Sequence, residues 1–236
     1  MQRVLTTWTL SAAAAAGVLA AACAPLARAA VVGQVDTFQS LTTEGWFAGG
    51  AQGQQPPTPP HVMPDGGPNG AGDAFLVVTS EGGNGPGSRM SVINGTQWAG
   101  DYLSAGIGVI AMDVNNLGTS DLTLRLVFEN PVAGPPTDLA VSTVGLTLAA
   151  GSGWTHVEFP IAPSDLTAVD GTAENALATA TFIRIIHSTD PTFPPDPIAG
   201  QLGVDNITAV PEPAALGGAL AAGGLMLARR RRRVAE

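Results

Sequence analysis

The side chains able to do chemistry are few and scattered. Histidine occurs only at 61, 156 and 187. His61 stands in a proline-rich stretch, His156 follows Trp154 at a spacing of two, and His187 closes an apolar run, so no His-x-x-x-His pair offers a transition-metal site. The one cysteine, Cys23, lies in an apolar N-terminal segment. A serine nucleophile has no Gly-x-Ser-x-Gly around it, and the glycine-rich stretch from Glu81 to Gly87 lacks the Lys-Ser/Thr of a phosphate cradle and reads as a turn. Carboxylates are plentiful, but no spacing marks a pair for glycoside cleavage, and solvated surface acids account for them. The residues therefore point to a protein that is not an enzyme. Aromatic side chains offer a second chemistry, since an exposed Trp or Tyr face stacks on the apolar side of a sugar ring. Trp98 and Tyr102 stand in a polar, Gly-containing connection with Asp101 between them as a hydroxyl partner. Trp98, Asp101 and Tyr102 are the candidate ligand-binding residues, with a core or loop-pinning role as the alternative; Trp46 and Trp154, at strand positions, are assigned to the core.

The elements that must position these residues are strands. Asp121 to Glu129 alternates Leu122, Leu124, Leu126 and Phe128 with Thr123, Arg125, Val127 and Glu129, a period of two in which Val127 is the one apolar residue on the outer face. Short apolar runs bounded by Gly, Asn and Pro recur at 74–79, 89–93, 107–114, 138–148, 154–161, 181–187 and 203–208, after a first strand and a Trp-bearing one within 31–47. Only 163–169 and 172–180 suit a turn or two of helix. The Pro, Gly and Gln content of 49–73 predicts an extended surface loop. Eight or nine strands without βαβ alternation predict one all-β domain, an antiparallel β-sandwich, over residues 30–209.

The two ends are of a different kind. Arg3, the apolar stretch from Leu10 to Ala24 and Ala27-Arg28-Ala29 form a secretory signal peptide over 1–29, with Ala30 as the mature N-terminus; Ala20-Ala21-Ala22-Cys23 is a weaker lipoprotein box that would lipidate Cys23 instead. Without both ends, that is without Arg3, Arg28, Arg229 to Arg233 and Glu236, the chain keeps three basic and 18 acidic residues, a formal charge of −15. Such a domain repels nucleic acid. At the C-terminus, Pro211-Glu212-Pro213 precedes 15 residues, 214–228, with no polar or charged side chain, and then Arg229, Arg230, Arg231, Arg232 and Arg233. A 15-residue helix spans about 22 Å, short of the roughly 30 Å hydrocarbon core, and snorkelling arginines close part of that gap. The arginines stay cytoplasmic and leave the preceding domain outside. Proline-glutamate-proline, an apolar helix and an arginine cluster, in that order over 210–236, resemble the PEP-CTERM sorting signal of Gram-negative bacteria. The resemblance implies recognition by an exosortase after export by the secretion machinery. It also implies an inner-membrane anchor through 214–228 with a periplasmic ectodomain, and then a place at the cell surface or outside the cell, in an exopolysaccharide setting.

The body carries a looser likeness. Val35-Asp36-Thr37-Phe38 followed by Gly45-Trp46, then Gly153 to Ile161, then Leu202-Gly203-Val204-Asp205-Asn206-Ile207 resemble the galactose-binding-like jelly rolls that include many carbohydrate-binding modules. That resemblance implies adjacent first and last strands sharing a structural calcium, with Asp36 and Asp205 at the matching positions and backbone carbonyls, Glu44 or Asp73 completing the oxygens. The function expected is a non-catalytic, carbohydrate-binding surface module. The alternatives are a purely structural matrix or surface-layer component and a carbohydrate-active hydrolase.

Overall fold

The computed structural model describes residues 29–48, 56–85, 87–130 and 134–212. The signal segment, the 214–228 segment, Pro213 and the five terminal arginines lie outside the described residues. Among the described residues no helix is long and apolar enough to cross a membrane.

Two antiparallel sheets pack face to face as a jelly-roll β-sandwich. The first has the order β2 (His61–Met63), β3 (Phe75–Glu81), β12 (Ala199–Pro211), β5 (Ile107–Asn116), β9 (Trp154–Pro160), with β1 (Val35–Asp36) also on β12. The second has the order β10 (Leu166–Asp170), β7 (Leu139–Ser142), β6 (Leu122–Glu129), β11 (Phe182–His187), β4 (Ser91–Asn94), with β8 (Leu146–Leu148) on β6. The first and last strands are adjacent, Val35 opposite Thr208 and Asp36 opposite Ile207. Short helices α1 (Tyr102–Ala105) and α2 (Ala173–Ala178) pack on one another near one end.

The alternation read in the sequence sets the layers. Leu122, Leu124, Leu126 and Phe128 are fully buried between the sheets with Leu76, Ile110, Met112, Ile183, Ile185 and Val204. Val127, the apolar exception, joins Leu139, Val141 and Ile186 in a second cluster on the outer face, against which Phe193 packs. Burying these apolar surfaces on both sides of sheet two is the main force holding its central strands.

Several local expectations are corrected. The 138–148 run is two strands, β7 and β8, because Leu146 turns back to pair with Leu124. The 49–73 loop contains β2, which pairs with β3. Phe47 makes an isolated bridge with Ile93 in place of a second strand. Leu166–Asp170 is strand β10 against β7, where a helical turn is expected; only Pro163–Asp165 turns as a 3₁₀ helix. The pairing partner, distant in sequence, decides these segments.

Candidate functional site

Trp98 and Tyr102 do not form an exposed platform. Both are fully buried in the sandwich core, which corrects the expectation of a sugar-stacking pair. The Tyr102 hydroxyl donates to the Trp98 carbonyl at 2.6 Å, and the Tyr102 ring meets Phe128 edge-on at 4.9 Å. Asp101 caps α1: it accepts from the Ser104 backbone N–H at 2.9 Å and from the Ser104 hydroxyl at 2.6 Å, which holds its carboxyl below the usual range. All three residues have structural partners, and the loop-pinning alternative is the one they fit. Trp154 departs from expectation the other way. It is half-buried on the outer face of sheet one, edge-on to Phe75 at 5.1 Å, its Nε1 donating to the Gly66 carbonyl. Gly203 permits this, since a Cβ there would stand 3.1 Å from the indole and 3.2 Å from Phe75.

Asp36 and Asp205, expected to share one ion, lie on opposite faces of sheet one. Asp36 sits opposite Ile207, a core residue, and its Oδ2 accepts from Trp98 Nε1 at 2.6 Å, Trp46 Nε1 at 2.7 Å and Gln97 Nε2 at 3.1 Å. Burial raises its pKa against these three donors. Asp205 follows inward-facing Val204 and pairs with Asp113, so it belongs to the outer face. It is fully buried, its Oδ1 accepts only from the Asn206 N–H, and its Oδ2 has no partner. Burial, with the charges of Asp73, Asp113 and Glu44 adding to it, pushes its carboxyl up to about 7.

The backbone around Asp205 is unusual. Asn206 has φ 51° at a register break in β12, and the 38–44 loop has three further left-handed non-glycine residues, Phe38 (φ 56°), Leu41 (φ 58°) and Glu44 (φ 50°). Each such residue costs of order 1 kcal/mol, so four in one neighbourhood are held by their surroundings. Glu44 accepts from the backbone N–H groups of Phe38 and Thr37 and from Ser40, and burial raises its pKa. Asp73 is fixed by Gln39 Nε2 at 2.7 Å and the Asn69 N–H at 2.8 Å, and Asp113 by Asn206 Nδ2 and His156 Nδ1, both at 2.8 Å. Among the described residues no three His, Cys, Asp or Glu side chains close on one point by themselves, and the three histidines stand on separate strands.

Apart from Trp154, the described aromatic residues that are not buried gather on the outer face of sheet two. Register places Phe47, Ile93, Arg184, Val127 and Val141 in one row across the sheet, and Phe182 and Glu129 in the next. Phe47 is 44% exposed and meets Phe182 edge-on at 6.5 Å. The Arg184 guanidinium binds the Glu129 carboxylate through Nε at 2.6 Å and through a second, ion-pair contact, and lies 5.2 Å from the centre of the Phe193 ring. Sequence reasoning passed over Phe47, Phe182 and Arg184. The signal was present at 182–186, where Phe182, Arg184 and Ile186 alternate with the core residues Ile183 and Ile185.

No protein-family model matches this sequence, and no curated protein matches it either. Solved structures do resemble its fold. A family 11 carbohydrate-binding module from Clostridium thermocellum, in complex with a β-1,3-1,4-mixed-linked tetrasaccharide, superposes with a TM-score of 0.50 at 14% identity, over 77% of this chain and 97% of the module. An exo-β-agarase superposes with the same score at 12% identity, over 77% of this chain but 26% of the enzyme. The chain thus has the β-sandwich architecture of carbohydrate-binding modules, and matches one as a whole and the agarase only in part.

Proposed function

We propose that this protein is an exported, non-catalytic module that binds polysaccharide across the outer face of its second sheet. The observation that supports this most is the grouping of Phe47, Phe182 and Phe193 around the Arg184–Glu129 pair. Ring faces cover the apolar side of a sugar, while the partly exposed Arg184 guanidinium, held in place by the buried Glu129 carboxylate, donates to its hydroxyls. The pairing with Arg184 occupies Glu129, which suits hydroxyl binding better than acid catalysis. A mixed-linkage β-glucan is the first ligand to test, because the family 11 module carries one of that type.

Affinity electrophoresis of residues 30–212 through gels containing mixed-linkage β-glucan, agarose or native exopolysaccharide tests the reading. Retardation in one gel, weakened about tenfold by Phe47→Ala or Phe182→Ala, is expected, a loss of about 1.4 kcal/mol. Unretarded migration of folded protein in every gel would leave a structural surface component. Release of sugars would instead favour a hydrolase.

In this reading a calcium ion would be held beside Asp205, whose buried Oδ2 has no partner, with Asp73 and Glu44 among the acids whose charges act on it; among the described residues the three do not converge as they stand, so they would have to close on the ion. Bound there, the ion would neutralise a carboxylate group that otherwise repels itself, and would tie β12 to the loop before β2. Asp36 is left out of this set, its Oδ2 being taken by three N–H donors.

The terminal segments supply the address in this reading. Signal cleavage at Ala30 and exosortase recognition of Pro211, Glu212 and Pro213 place the domain first in the periplasm, held by 214–228, and then at the surface. Cell fractionation of a Glu212→Ala variant checks this: retention in the inner membrane is expected, and normal surface delivery would remove the sorting role.

A further inference from the structure

Both ends of the sandwich emerge at one pole. The Ala30 N–H donates to the Ala99 carbonyl at 2.8 Å, the Gly33 N–H to the Ala209 carbonyl at 2.8 Å, and the Ala209 N–H to the Gln34 carbonyl at 3.0 Å. β12 runs past Ala209 through Pro211, and the Glu212 N–H still donates to the Gly106 carbonyl at 3.1 Å. Only Pro213 separates this last anchored residue from the apolar segment 214–228, a reach of about 3.5 Å per residue. The other apolar segment, 10–24, joins the same pole through five residues. If Arg3 and the cluster from Arg229 hold the outer ends of both segments on the cytoplasmic side, both segments would enter a bilayer from this one end of the domain.

The surface at that pole carries a cluster of valines, with Glu212 beside it against Gly108. Val210, Val109 and Pro160 form one row across β12, β5 and β9. Val35, 46% exposed, heads the next row on β1, which passes through Thr208 and Ala111 to Glu158 at the far edge, and the turn before Val35 exposes Val31 and Val32 at 52% and 42%. Val109 and Val210 are half-buried and Pro160 is exposed. An apolar cluster of this kind on an acidic protein marks a contact surface.

We infer that this valine patch is the membrane-facing surface of the domain, seated in the headgroup region of the bilayer that holds residues 214–228. The inference rests on the reading of 214–228 as membrane-inserted. It makes the anchored protein a domain fixed in orientation, with the pole of Val31 and Val32 against the lipid and the aromatic face of sheet two along its flank.

Residues 30–236 contain no cysteine, so in a protein of that span nitroxide labels can be placed singly at Val32→Cys, Val144→Cys and Leu220→Cys in phosphatidylethanolamine–phosphatidylglycerol vesicles. Val144, 80% exposed in the turn before β8, is the aqueous control. Power saturation is expected to show the Leu220 label open to oxygen and closed to a water-soluble nickel complex, the Val32 label losing most of its nickel accessibility, and the Val144 label keeping it. A Val32 label as open to nickel as Val144, with Leu220 in the bilayer, would overturn the docking surface and leave the anchor standing. A Leu220 label open to nickel would remove the anchor and the inference together. Dipolar broadening at Val32 would assign the patch to a second copy of the chain and overturn the lipid contact.

Discussion

Asp36 and Asp205 stand on neighbouring strands, both buried, and their surroundings are opposite in kind. Asp36 points inward and is surrounded by donors, two indoles and an amide. Asp205 points outward and is surrounded by other acids, with one oxygen unpartnered. The left-handed residues lie on both sides of this pair, Phe38, Leu41 and Glu44 in the loop that follows Asp36 and Asn206 next to Asp205. A buried carboxylate that gathers N–H donors ties tryptophans from distant loops into the core. One left among like charges with an oxygen unpartnered is the group that the proposed calcium ion would neutralise. The two predictions of largest effect separate these roles.

Asp36→Ala leaves two indole N–H groups buried without an acceptor, and a loss of about 3–5 kcal/mol is expected from urea unfolding, with Asp36→Asn losing about half because one oxygen remains. Neither variant should change the response to calcium if it stays folded. A calcium response abolished by Asp36→Asn would return that residue to the ion's ligands and erase the contrast. Asp205→Asn should do the reverse. With calcium at about a hundred times its Kd, the parent protein gains about 2.7 kcal/mol, seen as a rise in Tm of about 5–10 °C. The variant should gain nothing, and a Tm indifferent to calcium in the parent would exclude the ion.

Much of the frame was legible from alternation alone. β6 reads correctly residue by residue, and the oddity of Val127 is explained by Leu139, Val141 and Ile186 beside it on the outer face. The adjacency of first and last strands, which the resemblance to galactose-binding-like jelly rolls implies, is present in the fold. The placement of Asp36 and Asp205 on opposite faces was not legible. β1 has only two residues and shows no alternation, and the break at Asn206 shifts the register of β12. Trp98 and Tyr102 were misread for a related reason. Their connection is polar in sequence, but the acceptor that takes the Trp98 indole into the core is 62 positions away. Short polar segments carry little local signal, and distant partners settle them.

The comparison also has a pH signature. Asp205 is raised to about 7 in the folded protein, above an ordinary unfolded aspartate near 3.9. Between these values the native state holds a proton that the unfolded state has released. Chelated protein should therefore be most stable below the unfolded pKa, lose up to about 1.4 kcal/mol per pH unit as pH rises toward 7, and level off above it. Asp36 is raised too and contributes in the same direction. Asp205→Asn should flatten most of the slope, and calcium should offset it most at pH 7 and above, where the carboxylate is ionised. An unchanged slope in Asp205→Asn would mean that Asp36 or Glu44 carries the proton.

The smallest effect tests the residue between the two buried aromatics. Asp101 lies outside both carboxylate environments and caps a four-residue helix whose far end, Gly106, accepts the Glu212 N–H. Asp101→Ala should lower stability by about 1 kcal/mol and leave calcium response and polysaccharide retardation unchanged, because its hydrogen bonds go to Ser104. Asp101→Asn, which can still cap, should lose less. Weakened polysaccharide binding in Asp101→Asn at parental stability would move the ligand from the phenylalanine face of sheet two to the α1 pole, and the valine surface at that pole would then have to be shared between sugar and lipid.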